Sequence, residues 1–318
     1  MKNIKSLLIA AVLALSAVIF PTLAPAQDLV NEAMSSFPAG MVRVEYSSPE
    51  KLRALPDYEA LSHRYVGQRL QVLQGNLAQL GIQPGDVDTM VIGWKGKGTE
   101  LDLSGLAQGR FDTKSVSDRA AAQGIAATPM TGAPAYCFGS GASGYCIAIL
   151  GESLGAFGTI ESLGAILKVR AGEIPNAASD SRFAKHVDDG RTDAPIWGVA
   201  TGAAIADWFK GWLPNQGNVQ LDWKQTFSSV EALSYSVQAS DNVHLAVKLD
   251  CTTSEAAGSL RQVMEGLKLV QQMAWQNQNP NMHNPFQSLT VDRDGHQVRL
   301  NLTTAYAELE GAATPGKS

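Results

Sequence analysis

Cysteine is nearly absent from this sequence: Cys137, Cys146 and Cys251 are the three in 318 residues. Histidine is almost as scarce, with five residues, at positions 63, 186, 244, 283 and 296, and no close pairing. No H-E-x-x-H and no C-x-x-C occurs, so the spacings that hold a structural or catalytic zinc ion are missing. There is no P-loop and no dinucleotide fingerprint, and no cofactor is implied. Gly139–Gly144 is rich in glycine but joins two predicted strands, so it lacks the helix N-terminus that phosphate binding uses. Asp292-Arg293-Asp294-Gly295 echoes the start of a calcium loop, yet the later ligands and the distal Glu are missing, and it reads as a turn. Charged residues make up 17 % of the chain and form no basic run. Nucleic-acid binding needs a cationic stripe, so nucleic acid is not expected as a partner, nor is attraction to anionic lipid.

One long apolar run stands at the N-terminus. Lys2 and Lys5 give a positive start, Ser6–Phe20 is almost wholly apolar, and Pro21 breaks the run. Ala24-Pro25-Ala26 is then a small-x-small cleavage site before Gln27. The run is shorter than the ~18–20 residues of a spanning helix, so residues 1–26 read as a signal peptide and not as an anchor. No cysteine stands at the cleavage point, and a lipoprotein anchor is not indicated. Removing 26 of 318 residues leaves a mature chain of 292 that is expected to be periplasmic or secreted, with no transmembrane segment. Without Lys2 and Lys5 it carries 23 Lys and Arg against 30 Asp and Glu, a net charge of −7.

The clearest pattern lies in Ser229–Trp275. Leu233, Tyr235 and Val237 alternate with Ser234, Ser236 and Gln238; after Ser240-Asp241-Asn242, Val243, Leu245, Val247 and Leu249 alternate with His244, Ala246, Lys248 and Asp250. Each run has one apolar face, the mark of a strand covered on one side. Thr252-Thr253-Ser254-Glu255 then supplies a capping box for a helix whose stripe is Leu260, Val263, Met264, Leu267 and Val270. Upstream, Met41–Tyr46 reads as a strand, 57–80 as a helix, Val87–Trp94 and Leu101–Phe111 as strands, and Asp112–Gly124 as a capped helix. Ala135–Phe138 and Tyr145–Leu150 form a hairpin, followed by a helix over Thr159–Arg170. Ile196–Ala200 is a strand, Ala203–Leu213 a helix, and Leu289–Val291 with Val298–Leu302 a hairpin on Asp294-Gly295.

Both halves thus read strand, helix, strand, strand, helix, strand, strand. The expected fold is α+β, in two similar units, each an antiparallel sheet with helices packed on one face. The first unit spans 27–173 and opens on a short lead-in, Gln27–Phe37; 174–190 is a linker of little periodicity, 191–310 the second unit, and 311–318 a disordered tail. Leu80-Gly81-Ile82 before Pro84 and Asp86-Val87-Asp88, Gly109-Arg110-Phe111 and Ile147–Gly151 carry a resemblance to uncharacterised exported bacterial proteins built from repeated strand/helix units. That resemblance brings no known activity.

Three groups of residues remain as candidates for function. Gly151-Glu152-Ser153-Leu154-Gly155 matches G-x-S-x-G, the nucleophile elbow that holds a catalytic serine on a strand-to-helix turn. The preceding strand belongs to a hairpin and no HGGG-like oxyanion segment is present, so a turn is the preferred reading and a serine hydrolase using Ser153 the alternative. Trp208, Phe209 and Trp212 share one short predicted helix and offer a binding surface for a protein or a small apolar ligand, against the plainer reading that they cover the sheet. Cys137 and Cys146 face each other if the Gly139–Gly144 loop closes symmetrically, which predicts a disulfide in an exported protein and leaves Cys251 as a buried thiol. The resulting expectation is a non-enzymatic binding or interaction protein of the bacterial cell envelope. Intact-mass analysis of secreted material should find a chain that starts at Gln27; a mass retaining residues 1–26 would contradict the leader.

Overall fold

The computed structural model describes residues 26–55, 68–97, 100–139, 144–212, 221–278 and 283–306. Residues 1–25, which hold most of the expected signal peptide, the stretch 311–318 expected as a tail, and His63 lie outside these residues. Twelve strands form one sheet: β1 (Met41–Ser47), β2 (Val87–Lys97), β3 (Glu100–Gly109), β4 (Ala127–Met130), β5 (Ala133–Phe138), β6 (Tyr145–Ile149), β7 (Leu154–Gly158), β8 (Ile196–Thr201), β9 (Val230–Ala239), β10 (Val243–Cys251), β11 (Thr290–Asp294) and β12 (Gln297–Thr304). Their order is β11-β12-β10-β9-β8-β1-β2-β3-β7-β6-β5-β4, and every neighbouring pair is antiparallel. The fold is α+β, an antiparallel sheet with packed helices. β1 and β8 sit side by side at the centre. Outward from β1 the order is β2-β3-β7-β6, with the β5–β4 hairpin beyond; outward from β8 it is β9-β10-β12-β11.

Successive side chains of a strand point to opposite faces, and the core divides accordingly. On one face, here called the front, Val44 and Tyr46 of β1, Val91 of β2, Leu106 of β3 and Trp197 and Val199 of β8 pack with the helices Ala26–Ser36, Ile160–Arg170 and Ser181–Gly190. On the back, Ile92 and Leu103 lie under the helices Gln68–Gln79 and Thr113–Ala122. Farther along the back, Leu233, Val247 and Leu249 lie under Ala203–Trp212, Trp223–Thr226 and Ser254–Gln278. Helices on one face therefore describe β10 to β11, whereas β8 and β9 also meet Ser181–Gly190 on the front. Across β2 and β3 helices cover both faces.

Asp112 caps its helix as expected, and Thr159 and Thr253 cap two others. Asp112 accepts from the Ser115 amide at 3.0 Å, Thr159 from Ser162 at 3.2 Å and Thr253 from Ala256 at 3.1 Å, each satisfying an orphan donor of a first turn. Several stretches differ from expectation, and two of them are helices that enter the core. The lead-in at Gln27–Phe37 is a helix that buries Leu29, Val30, Ala33, Met34 and Phe37. The stretch 174–190 contains a helix, Ser181–Gly190, capped by Asp180 and buried through Phe183 and Val187. Phe183 and Val187, four apart, form its buried stripe, and polar and charged residues fill most of the rest.

β5 and β6 pair Phe138 with Tyr145 and Cys137 with Cys146, and the two sulfurs stand 2.06 Å apart. The bond closes a short loop, so its stabilisation is on the order of 2–3 kcal/mol, and it fixes the register of a hairpin with a glycine-rich turn. Cys251 is a buried free cysteine, and burial pushes its thiol pKa up.

The stripe of Ser254–Gln278 faces the sheet through Leu260, Met264 and Leu267, all buried. Leu267→Ala should cost about 2–5 kcal/mol in denaturant melts, as truncation of a packed leucine does. A loss below ~1 kcal/mol would mean that the helix does not rest on the core.

Candidate functional site

The sequence-predicted candidates do not come together. Ser153 lies in the bend between β6 and β7, and a strand, not a helix, follows it. The bend is held by main-chain bonds: Gly109 donates to the Ser153 carbonyl at 3.1 Å and Phe111 to that of Glu152 at 2.7 Å. Among the described residues the Ser153 hydroxyl has no side-chain partner, so no imidazole is placed to activate it. Trp208 and Phe209 are 3 % and 6 % exposed. Their rings meet edge to face at 5.0 Å, Trp208 rests on Tyr235 and Phe209 stacks on Phe227. These two are core, which corrects their assignment to a binding surface; the side chain of Trp212 lies outside the described residues.

The site that the fold does build is a cleft of about 210 Å³ on the front of the sheet, where β1 ends and β8 begins. Tyr46 and Trp197 are directly opposed on the two strands and stack with centroids 5.7 Å apart and an interplanar angle of 23°. Val30, from the helix Ala26–Ser36, walls one side. The rim carries charge: Lys51 from the short helix Pro49–Arg53, and Arg191 and Asp193 from the loop before β8.

Each rim group is held by its local structure. Ser48 caps Pro49–Arg53 by accepting from the Lys51 amide at 3.3 Å, while its own amide donates to the Pro195 carbonyl at 2.7 Å. Arg53 anchors the other end by donating to the Pro84 carbonyl at 2.6 Å and to that of Val87 at 3.0 Å. Lys51 is thereby aimed at the loop, and its Nζ donates to the Asp193 main-chain carbonyl at 3.3 Å. Arg191 is paired with Asp188 at 2.9 Å and donates to Asn31 Oδ1 at 2.7 Å. Among the described residues neither the Lys51 ammonium nor the Asp193 carboxylate has an ion-pair partner. A cation and an anion thus stand open on one cleft above a stacked aromatic floor. Burial pushes the Tyr46 phenol pKa up, which keeps it neutral beneath them.

On the back of the same strands lies a charged cluster that periodicity did not reveal. Arg43 donates to Glu45 Oε2 at 2.8 Å and to the Tyr235 hydroxyl at 3.1 Å, and Tyr235 in turn donates to Glu45. The Arg43 guanidinium lies 4.2 Å over the ring of Trp94, its cross-strand partner on β2. Tyr235 belongs to β9 and reaches Glu45 by crossing Gly198 of β8; a Cβ at Gly198 would stand 2.6 Å from the phenol ring. Burial works against the Arg43 charge, but Tyr235 and Glu45 outweigh it and raise its pKa. Burial, then the Glu45 charge, push the Tyr235 phenol well above the usual tyrosine range.

Among the described residues no helix is long and apolar enough to cross a membrane, and no group of three His, Cys, Asp or Glu side chains is placed to hold a metal ion. A second void of about 20 Å³, lined by Leu73, Leu77, Met90 and Phe111 among others, lies in the core. It offers a water no polar partners.

No family model and no curated protein matches the sequence. Solved structures of the protein TP0453 are similar in fold. Its crystal form III aligns with a TM-score of 0.52 at 9 % identity, covering 88 % of this chain and 96 % of that one. Its crystal form I aligns with a TM-score of 0.49 at 8 % identity, covering 88 % and 95 %. At such identity the likeness concerns the fold, and it runs over nearly the whole of TP0453.

A phenol whose folded pKa is raised keeps its proton where the unfolded chain loses it. The stability it contributes is complete below about pH 10 and is lost as pH rises above that value. Urea melts between about pH 8 and 12 should therefore show the wild type losing stability more steeply above pH 10 than Tyr235→Phe. Parallel profiles would mean that Tyr235 titrates freely.

Proposed function

We propose that this chain is an exported, non-enzymatic binding protein of the bacterial cell envelope, and that it binds a small ligand in the cleft between the ends of β1 and β8. The observation that carries this reading is the cleft itself, with a cation and an anion that have no ion-pair partner among the described residues, over a stacked Tyr46–Trp197 floor. Export is supported by the leader pattern at 1–26 and by a cysteine pair at bonding distance, which suits an oxidising compartment. The description as two similar units is supported by the matching strand order of the two arms, with the β4–β5 hairpin as an addition to the first. The serine-hydrolase reading has against it the strand–bend–strand setting of Ser153, since an elbow needs the helix that follows the nucleophile.

The test is an amide-resolved NMR screen of mature protein against mixtures of small polar molecules. Binding should shift resonances of Val30, Trp197 and Ala194, and a bulky rim substitution, Thr192→Trp, should abolish the shifts while leaving the circular dichroism unchanged. A fluorophosphonate probe applied to the same material should leave Ser153 unmodified. Shifts that never localise to the cleft would remove the binding reading, and covalent labelling of Ser153 would favour the hydrolase.

A further inference from the structure

We infer that the ligand of this cleft is a small zwitterion of the α-amino acid type with an apolar side chain; the inference rests on the cleft being a binding site. Size sets the first limit. A cavity of 150 Å³ accommodates benzene, so about 210 Å³ suits a molecule of amino-acid size and not a long chain or a polymer.

Charge sets the second. A cleft for a simple anion would present cations alone, and a cleft for a cation would present carboxylates alone. Here Lys51 and Asp193 line one cleft with opposite signs, and neither is neutralised by the other: the Lys51 Nζ is bonded to the main-chain carbonyl of Asp193, and no ion pair joins it to the carboxylate. Arg191, already paired with Asp188, is a second cation among the lining residues. A ligand carboxylate placed on Lys51 and a ligand ammonium placed on Asp193 satisfy both unpaired groups at once. Charge-assisted hydrogen bonds of this kind are the strong ones. The third limit is apolar. Val30, Ala194 and Trp197 line the same cleft, which gives a side chain without charge a wall to rest on and leaves a third charge without a partner.

The experiment compares L-leucine with two analogues that each lack one charge, N-acetyl-L-leucine and L-leucinamide, by calorimetry and by NMR shifts at the cleft. Leucine should bind, and each analogue should bind at least about tenfold more weakly, the loss expected for one charge-assisted hydrogen bond. Lys51→Met should weaken leucine by a similar factor but leave leucinamide unchanged, because leucinamide has no carboxylate to lose. Asp193→Asn should weaken leucine and leave N-acetyl-leucine unchanged. Both positions lie on the rim, so melting temperatures of the variants should match the wild type, and a variant that melts early is replaced by Lys51→Gln or Asp193→Ser. Equal binding of leucine and either analogue overturns the zwitterion while leaving a binding cleft. So does failure of all three probes when other small molecules shift the cleft resonances. If no molecule shifts those resonances, the cleft reading falls as well.

Discussion

Five residue pairs between β1 and β8, from Arg43 with Ala200 to Ser47 with Ile196, join seven strands on one side to five on the other. This seam is what makes a single sheet of the chain. Main-chain bonds alone across five pairs would be a thin join for so wide a sheet, and the side chains reinforce it on both faces. In front, Tyr46 stacks on Trp197 across the seam. Behind, Arg43 and Glu45 of β1 hold the hydroxyl of Tyr235, which belongs to the strand beyond β8. Gly198 is the residue that permits this reach, because any side chain there would occupy the space the phenol ring crosses. A half-buried ion pair gains little on its own once desolvation is counted. This one is embedded in a phenol hydrogen bond and a contact with the Trp94 face, so removing either Arg43 or Glu45 leaves the other charge without its ion-pair partner in a place water reaches poorly.

The two arms are finished differently on either side of the seam. In the first, helices press on both faces of β2 and β3, and β6 is buried along its whole length. Glycine then becomes a packing requirement: the Phe157 ring of β7 lies across Gly105 of β3, where a Cβ would stand 2.1 Å from it. In the second, the back is covered while the front of β10 and β12 carries His244, Lys248, Arg299 and Thr303, all half-buried or exposed. Lys248 with Asp250, Arg299 with Asp294 and Gln297 with Asp250 satisfy one another there. That polar surface is internally paired, in contrast with Lys51 and Asp193 at the cleft.

The difference between the arms also decides what could be read from the sequence. The β9–β10 hairpin and the helix after it are legible because one face is wet and one is dry, which writes a period of two and then of 3.6 into the residues. β7 was hidden for the opposite reason. Leu154-Gly155-Ala156-Phe157-Gly158 has both faces covered and two glycines, so it shows no alternation, and its start coincided with a serine motif that suggested a helix. The hairpin at Asp294-Gly295 was placed one residue early: Asp294 pairs with Gln297, and the turn is Gly295-His296. The helix Ala26–Ser36 shows its buried side only in Leu29, Val30, Ala33 and Met34, a stripe too short to stand out in the sequence. Trp208 and Phe209 drew attention as a possible surface for the reason that makes them core: large rings on a short helix need something to cover, and the sheet is what they cover.

The cleft was legible in none of these ways, and the reason is general. Its parts are Val30, Tyr46, Lys51 and the loop 191–194 with Trp197, four segments spread over more than half the chain. Within each segment every residue has an ordinary local duty: Val30 packs a helix, Tyr46 and Trp197 alternate on strands, and Lys51 sits one turn into a capped helix. Periodicity reports how a residue relates to its neighbours in sequence, and by that measure nothing here is unusual. What is unusual is that antiparallel pairing of two strands about 150 positions apart brings the exit of one beside the entry of the other. Both flanking segments turn away from the sheet at the same place, and there the Lys51 Nζ donates to the carbonyl of Asp193. A shift of one residue in the seam's register would leave Tyr46 and Trp197 on opposite faces of the sheet and remove the floor on which the site rests.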